Sequence, residues 1–97
     1  MHEARVVVRN ALGIHVRPAG LLSQEASRFR SDVFIGTDQL MVNAKSIMGV
    51  LMLAAETGAE LTIRAEGPDE REAVETLRGL IDSCFQGAES RPGEGTN

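Results

Sequence analysis

The stretch ALGIHVRPAG, residues 11–20, decides the fold, because one backbone pattern ends within it and another begins. Before it, EARVVVRN sets Ala4, Val6 and Val8 on one face and Arg5, Val7 and Arg9 on the other, the alternation of a half-buried strand. After it, Ala19, Leu22, Ala26 and Phe29 recur at helical spacing as an apolar stripe. Pro18 fits that helix only in its first turn, where the N–H that proline lacks has no intrahelical partner to lose. The helix therefore starts beside His15.

Working outward, SDVFIGT and LMVN predict a hairpin with GTDQ as its turn, Val33 and Ile35 facing the helices. AKSIMGVLMLAAETG predicts a short helix capped by Ser46 and ending near Gly58. AELTIRAEG alternates again, with Leu61, Ile63 and Ala65 inward. GPDEREAVETLRGLIDSCF is a helix with an apolar stripe of Ala73, Leu77, Leu80, Ile81 and Cys84. Asp69 and Glu72 read as a variant capping box at its start, and Gly87 as its close. Residues 88–97, AESRPGEGTN, are polar and rich in breakers and are expected to be a disordered tail. The order β-α-β-β-α-β-α predicts an α+β, two-layer domain over residues 1–87, a four-stranded antiparallel sheet covered on one face by three helices.

Composition narrows the function. Ninety-seven residues support one domain, and three phenylalanines leave the core to aliphatic packing. Ten basic against fourteen acidic side chains, a net charge of −4, argue against nucleic acid, which calls for a basic face. No run approaches the ~18 apolar residues that cross a bilayer, so membrane insertion is not expected. The N-terminus has no secretion-signal core and one cysteine forms no intramolecular disulfide framework, so a cytoplasmic location is expected.

His15 is the first candidate for chemistry. At a helix start the helix itself offers no carbonyl to the N–H groups of Val16 and Arg17, and the helix dipole adds positive charge there. An imidazole is a competent nucleophile near neutral pH, and a phosphoryl group on it would meet those N–H groups and the Arg17 guanidinium. Gly13 gives the freedom to turn from strand to helix. The competing reading of His15 is a surface residue that merely caps the helix.

Ser46 is the second candidate. It reads either as a plain N-cap or as a regulated one, because Ile47, Met48, Leu51 and Met52 crowd a helix too short to bury them all. Phosphate on Ser46 would suit the dipole yet place negative charge in an apolar docking patch. His2 reads as solvated at a fraying terminus, and Cys84 as a small core residue. No histidine or cysteine spacing supports a metal site, and no cofactor is expected.

GIHVRPA followed by KSIMGV resembles HPr, the phosphocarrier family of the bacterial phosphoenolpyruvate-dependent phosphotransferase system, over residues 3 to about 87. The resemblance implies an open-faced β-sandwich. It implies that His15 accepts a phosphoryl group from enzyme I on its δ nitrogen and passes it to IIA domains for sugar uptake. The carrier is used stoichiometrically and is not itself an enzyme. Arg17 and the backbone amides of Val16 and Arg17 would hold the phosphate. Ser46 matches the serine phosphorylated where an HPr kinase/phosphorylase exists. Gly20, Leu21, Ile47, Met48, Gly49, Leu51 and Met52 fall on the docking surface. Such a carrier, presenting one face to successive partners, is expected to be a monomer. Leu12 stands where many sugar-system members have a small polar residue, and Gln24 and Ser27 where many have lysines.

Three other readings compete. A carrier of the nitrogen-related branch fits the apolar Leu12. A regulatory module acting through Ser46 alone is disfavoured by His15, which relatives specialised in that way lack. An acylphosphatase-like hydrolase requires an arginine-lined loop that NALGIHVR resembles poorly.

Overall fold

The computed structural model describes residues 1–11 and 13–85. Its elements follow the predicted order: β1 (His2–Val7), α1 (Val16–Ala26), β2 (Asp32–Gly36), β3 (Met41–Asn43), α2 (Ile47–Met52), β4 (Glu60–Glu66) and α3 (Glu70–Asp82). The four strands form one antiparallel sheet in the order β1-β4-β2-β3. The three helices cover one face of it, the two-layer arrangement read from the sequence. The tail at 88–97 and the closing Gly87 lie outside the described residues.

Strand register explains why only one face is covered. Val6 pairs with Leu61, Ile35 with Ile63 and Val33 with Ala65, so their side chains fall together on the inner face. There they pack against Ala19, Leu22 and Ala26 of α1, Val50 of α2, and Ala73, Val74, Leu77 and Ile81 of α3, all buried. The outer face carries Glu3, Arg5, Thr62 and Arg64. Its ion pairs, Arg64 to Glu3 at 3.5 Å and Arg5 to Glu60 at 3.9 Å, are solvated and add little to stability.

Several local expectations are corrected. The second helix ends at Met52 rather than near Gly58. Leu53 and Ala54 donate to Val50 and Leu51, tightening the last turn, and Ala54 then takes a positive φ of 50°. Residues 55–59 are thereby freed to run back along the end of β1. The third helix closes before Gly87, in a Schellman arrangement: Cys84 N–H donates to Ile81 O and Phe85 N–H to Leu80 O. Cys84 (φ 59°) holds the left-handed position that glycine usually takes, so it is half-buried beyond the stripe, while Phe85 is fully buried. His2 is not frayed. It opens β1, and its Nε2 lies 3.4 Å from Glu75 Oε2.

The capping box is replaced by a cross-link. Asp69 is the N-cap of α3, but its carboxylate makes no bond to the helix. It accepts instead from Arg30 N–H (3.0 Å), Ser31 N–H (2.9 Å) and the Ser31 hydroxyl, tying the loop before β2 to the start of α3. Ser31 Oγ also accepts from Asp69 N–H. Glu70, not Glu72, reaches back, taking Gly67 N–H on one oxygen and the Met1 amine on the other. Gly67 (φ 150°) permits the close approach, since a Cβ there would stand 2.6 Å from Ser31 Oγ.

These donors, the Ser31 hydroxyl first and then Arg30 N–H, lower the Asp69 pKa from 3.8 to about 2. A carboxyl whose folded pKa is depressed stabilises fully above its unfolded value and loses that contribution as it protonates. Stability from this cross-link is therefore complete above about pH 4 and lost as pH falls towards 2. Urea midpoints of wild type and Asp69→Asn measured from pH 6 to pH 2 should converge on the acid side. Curves that stay parallel would contradict this assignment.

Candidate functional site

His15 is the N-cap of α1, with extended backbone (φ −109°, ψ −162°), exposed, and its ring makes no capping bond to the helix. The imidazole is thus left unused by the helix whose first position it precedes. Pro18 lies in the first turn and is buried, so it anchors the start of the helix. Val16 and Arg17, both exposed, are the first two helical residues, and the first carbonyl in use is that of His15, which accepts from Ala19 N–H at 2.8 Å. Nothing in α1 can accept from the N–H groups of Val16 and Arg17, whose direction follows from the helix. An imidazole therefore stands at the positive end of an eleven-residue helix, with a guanidinium two residues on.

The turn that carries His15 is held from behind. Gly13 (φ 72°) abuts the backbone of 55–56, where a Cβ would stand 2.4 Å from Ala55 O. Ile14 N–H donates to Ala55 O at 2.9 Å, and Gly58 N–H donates to Val8 O at 2.8 Å. The Thr57 hydroxyl reaches the carbonyls of Asn10 (2.6 Å) and Ala11 (2.9 Å). This backing segment was missed in the sequence because its residues read as a continuation of the second helix.

Ser46 caps α2, its Oγ accepting from Gly49 N–H at 3.1 Å. The approach to it is fixed from α1. Ser23 donates to Lys45 O at 2.7 Å, and the Lys45 ammonium donates to Phe29 O at 2.8 Å. Ser46→Ala should lower stability by about 1 kcal/mol, the usual loss for such a cap. A lower urea midpoint with faster Gly49 amide exchange would show it, and unchanged Gly49 exchange would contradict the capping role.

The two helix starts border one surface. Val16, Arg17, Gly20, Leu21, Ser23, Gln24 and Ile47 line a shallow cleft of about 540 Å³ between α1 and α2. Val16 is 70% exposed on it, and Met48 (69%) and Met52 (67%) are exposed apolar side chains of α2. Leu51, assigned to the same surface, is half-buried and packs against the core. Gly49 is half-buried, against the Asn43 carbonyl. Among the described residues no cluster of histidine, cysteine or carboxylate side chains could hold a metal ion. No helix among them is long and apolar enough to cross a membrane.

A family model described as "PTS HPr component phosphorylation site" matches residues 2–83. The chain belongs to the HPr family. HPr-like protein Crh of Bacillus subtilis is 51% identical over 81 residues, 84% of this chain and 95% of Crh. A Crh crystal structure described as a dimer with a swapping domain aligns with a TM-score of 0.69 at 49% identity, over 87% of this chain and 97% of that one. Phosphocarrier protein HPr of Treponema pallidum is 47% identical over 84% of this chain and 92% of its own. The crystal structure of HPr-C-His from Thermoanaerobacter tengcongensis has a TM-score of 0.84 and 44% identity, covering 88% of this chain and 96% of its own. The open-faced sandwich expected from the sequence is thus the fold of this family.

Proposed function

We propose that this HPr-family chain is a phosphocarrier in which His15 takes a phosphoryl group from phospho-enzyme I and passes it to a IIA domain, serving sugar uptake from the cytoplasm. The His15 Nδ1 lone pair attacks phosphorus, and the N–P bond to the donor breaks as the new N–P bond forms. The reverse exchange discharges the group. The carrier is regenerated stoichiometrically and catalysis is supplied by its partners.

One observation carries this reading: the imidazole at the start of α1 is exposed and unused by the helix it caps. The amides of Val16 and Arg17, with the Arg17 guanidinium, would receive the added charge. The cleft between α1 and α2, together with the exposed Ile47, Met48 and Met52 of α2, would seat enzyme I and IIA domains in turn. One shared surface serving alternate partners suits a monomer. Ser46 is the regulatory position, phosphorylated where an HPr kinase/phosphorylase is present. Its phosphate would introduce charge beside the exposed apolar side chains of α2.

Similarity to Crh favours a second reading, a regulator acting through Ser46 phosphorylation. One experiment separates them: intact-mass analysis after incubation with phosphoenolpyruvate and enzyme I. A single phosphoryl group lost on mild acid treatment supports the carrier. An unmodified chain, with enzyme I shown active on another HPr, moves the assignment to the regulator.

A further inference from the structure

We propose that Thr57, a residue outside both motifs, is a positioning residue for phosphoryl exchange at His15. The inference rests on the phosphocarrier reading above. Between the last paired residue of β1 and the start of α1, the histidine-bearing turn leans on the returning segment 55–59. Most of that support is backbone: Ile14 N–H to Ala55 O, Gly58 N–H to Val8 O, and Val8 N–H to Ala59 O at 2.9 Å. The contribution of a side chain is the Thr57 hydroxyl, which divides its one proton between Asn10 O and Ala11 O. Asn10 continues the network inside the turn, its side-chain amide donating to Gly13 O while its carbonyl accepts from Gly13 N–H at 3.0 Å.

A chain of contacts thus runs from Thr57 through Asn10 and Gly13 to Ile14, the neighbour of His15. The Thr57 side chain is itself exposed and buries nothing of the core. Its hydroxyl therefore acts mainly on the path of the turn. In-line transfer between two histidines depends on the aim of the imidazole, and a displacement near 1 Å is enough to slow a reaction by roughly 100-fold. The cleft of α1 and α2 that meets the partner contains neither Thr57 nor Asn10. Loss of the hydroxyl should accordingly slow transfer without weakening docking.

The test is steady-state transfer from phosphorylated enzyme I to the full chain, comparing wild type, Thr57→Val and Thr57→Ser, with thermal midpoints measured alongside. Thr57→Val should lower kcat about tenfold with KM unchanged, and Thr57→Ser should restore it. The midpoint of Thr57→Val should fall by no more than about 5 °C. Wild-type kinetics in Thr57→Val, or a rise in KM alone, would overturn the inference. So would a serine variant as slow as the valine one. Failure of the wild type to accept phosphate would overturn the carrier reading beneath it, a result distinct from an active wild type matched by Thr57→Val.

Discussion

His15→Ala should abolish phosphoryl acceptance while leaving the domain folded. The histidine is exposed, its ring bonds nothing in the helix it caps, and Pro18 and the Ala19-to-His15 backbone bond fix the helix start independently. Stability should therefore change by no more than about 0.5 kcal/mol, as for a surface substitution away from special features. Transfer from phospho-enzyme I should fall by at least about 10⁴-fold, the scale on which deleting a nucleophile acts. The chain contains one other histidine, His2, which sits at the start of β1 beside Glu75 rather than at a helix end. Acid-labile phosphate remaining on His15→Ala, mapped to His2, would sink the assignment of His15.

Gly13→Ala should damage both the fold and the site. At φ 72° a side chain is strained by about 1–2 kcal/mol. The added Cβ would also stand 2.4 Å from Ala55 O and 2.9 Å from Glu56 Cα, backbone atoms that no rotamer change can clear. The turn must then lift from the 55–59 segment and stretch the bond from Ile14 N–H to Ala55 O. Together these effects should destabilise by about 3 kcal/mol and lower the thermal midpoint by roughly 15 °C. Gly58→Ala isolates the two contributions. Its φ of 93° is equally unfavourable, but its Cβ would meet nothing within 4 Å. Gly13→Ala no worse than Gly58→Ala would mean that contact with Ala55 does not hold the turn.

What could be read in advance follows from how local the signals are. The change of period around His15, with Pro18 confined to a first turn, placed the start of α1 within a residue, whereas β1 ends at Val7, before the alternation read through Arg9. Ser46 was equally legible, because an N-cap preference acts within three residues and Gly49 N–H supplies the bond. The failures concern side chains that serve distant parts of the chain. Asp69 looks like a helix cap, yet Ser31 and Arg30, far away in sequence, offer its carboxylate three donors and win it. Ala54 and Cys84 take positive φ without being glycine, so the ends of α2 and α3 could not be placed from composition. The support behind His15 was invisible for the same reason: Ala55 and Thr57 act across the end of the sheet, and no periodicity marks them.

The clamp made by Lys45 has a practical consequence at the bench. It is the sole lysine, so amine-reactive labels, cross-linkers and sensor-chip chemistries find two targets on this chain, the Lys45 ammonium and the Met1 amine. Both are engaged, one with Phe29 O and the other with Glu70. Acylating Lys45 would erase its charge, break its bond to Phe29 O and loosen the loop leading to Ser46. A chain immobilised through its amines would therefore carry a disturbed approach to Ser46, whereas thiol coupling at Cys84, beyond the end of α3, leaves that approach intact.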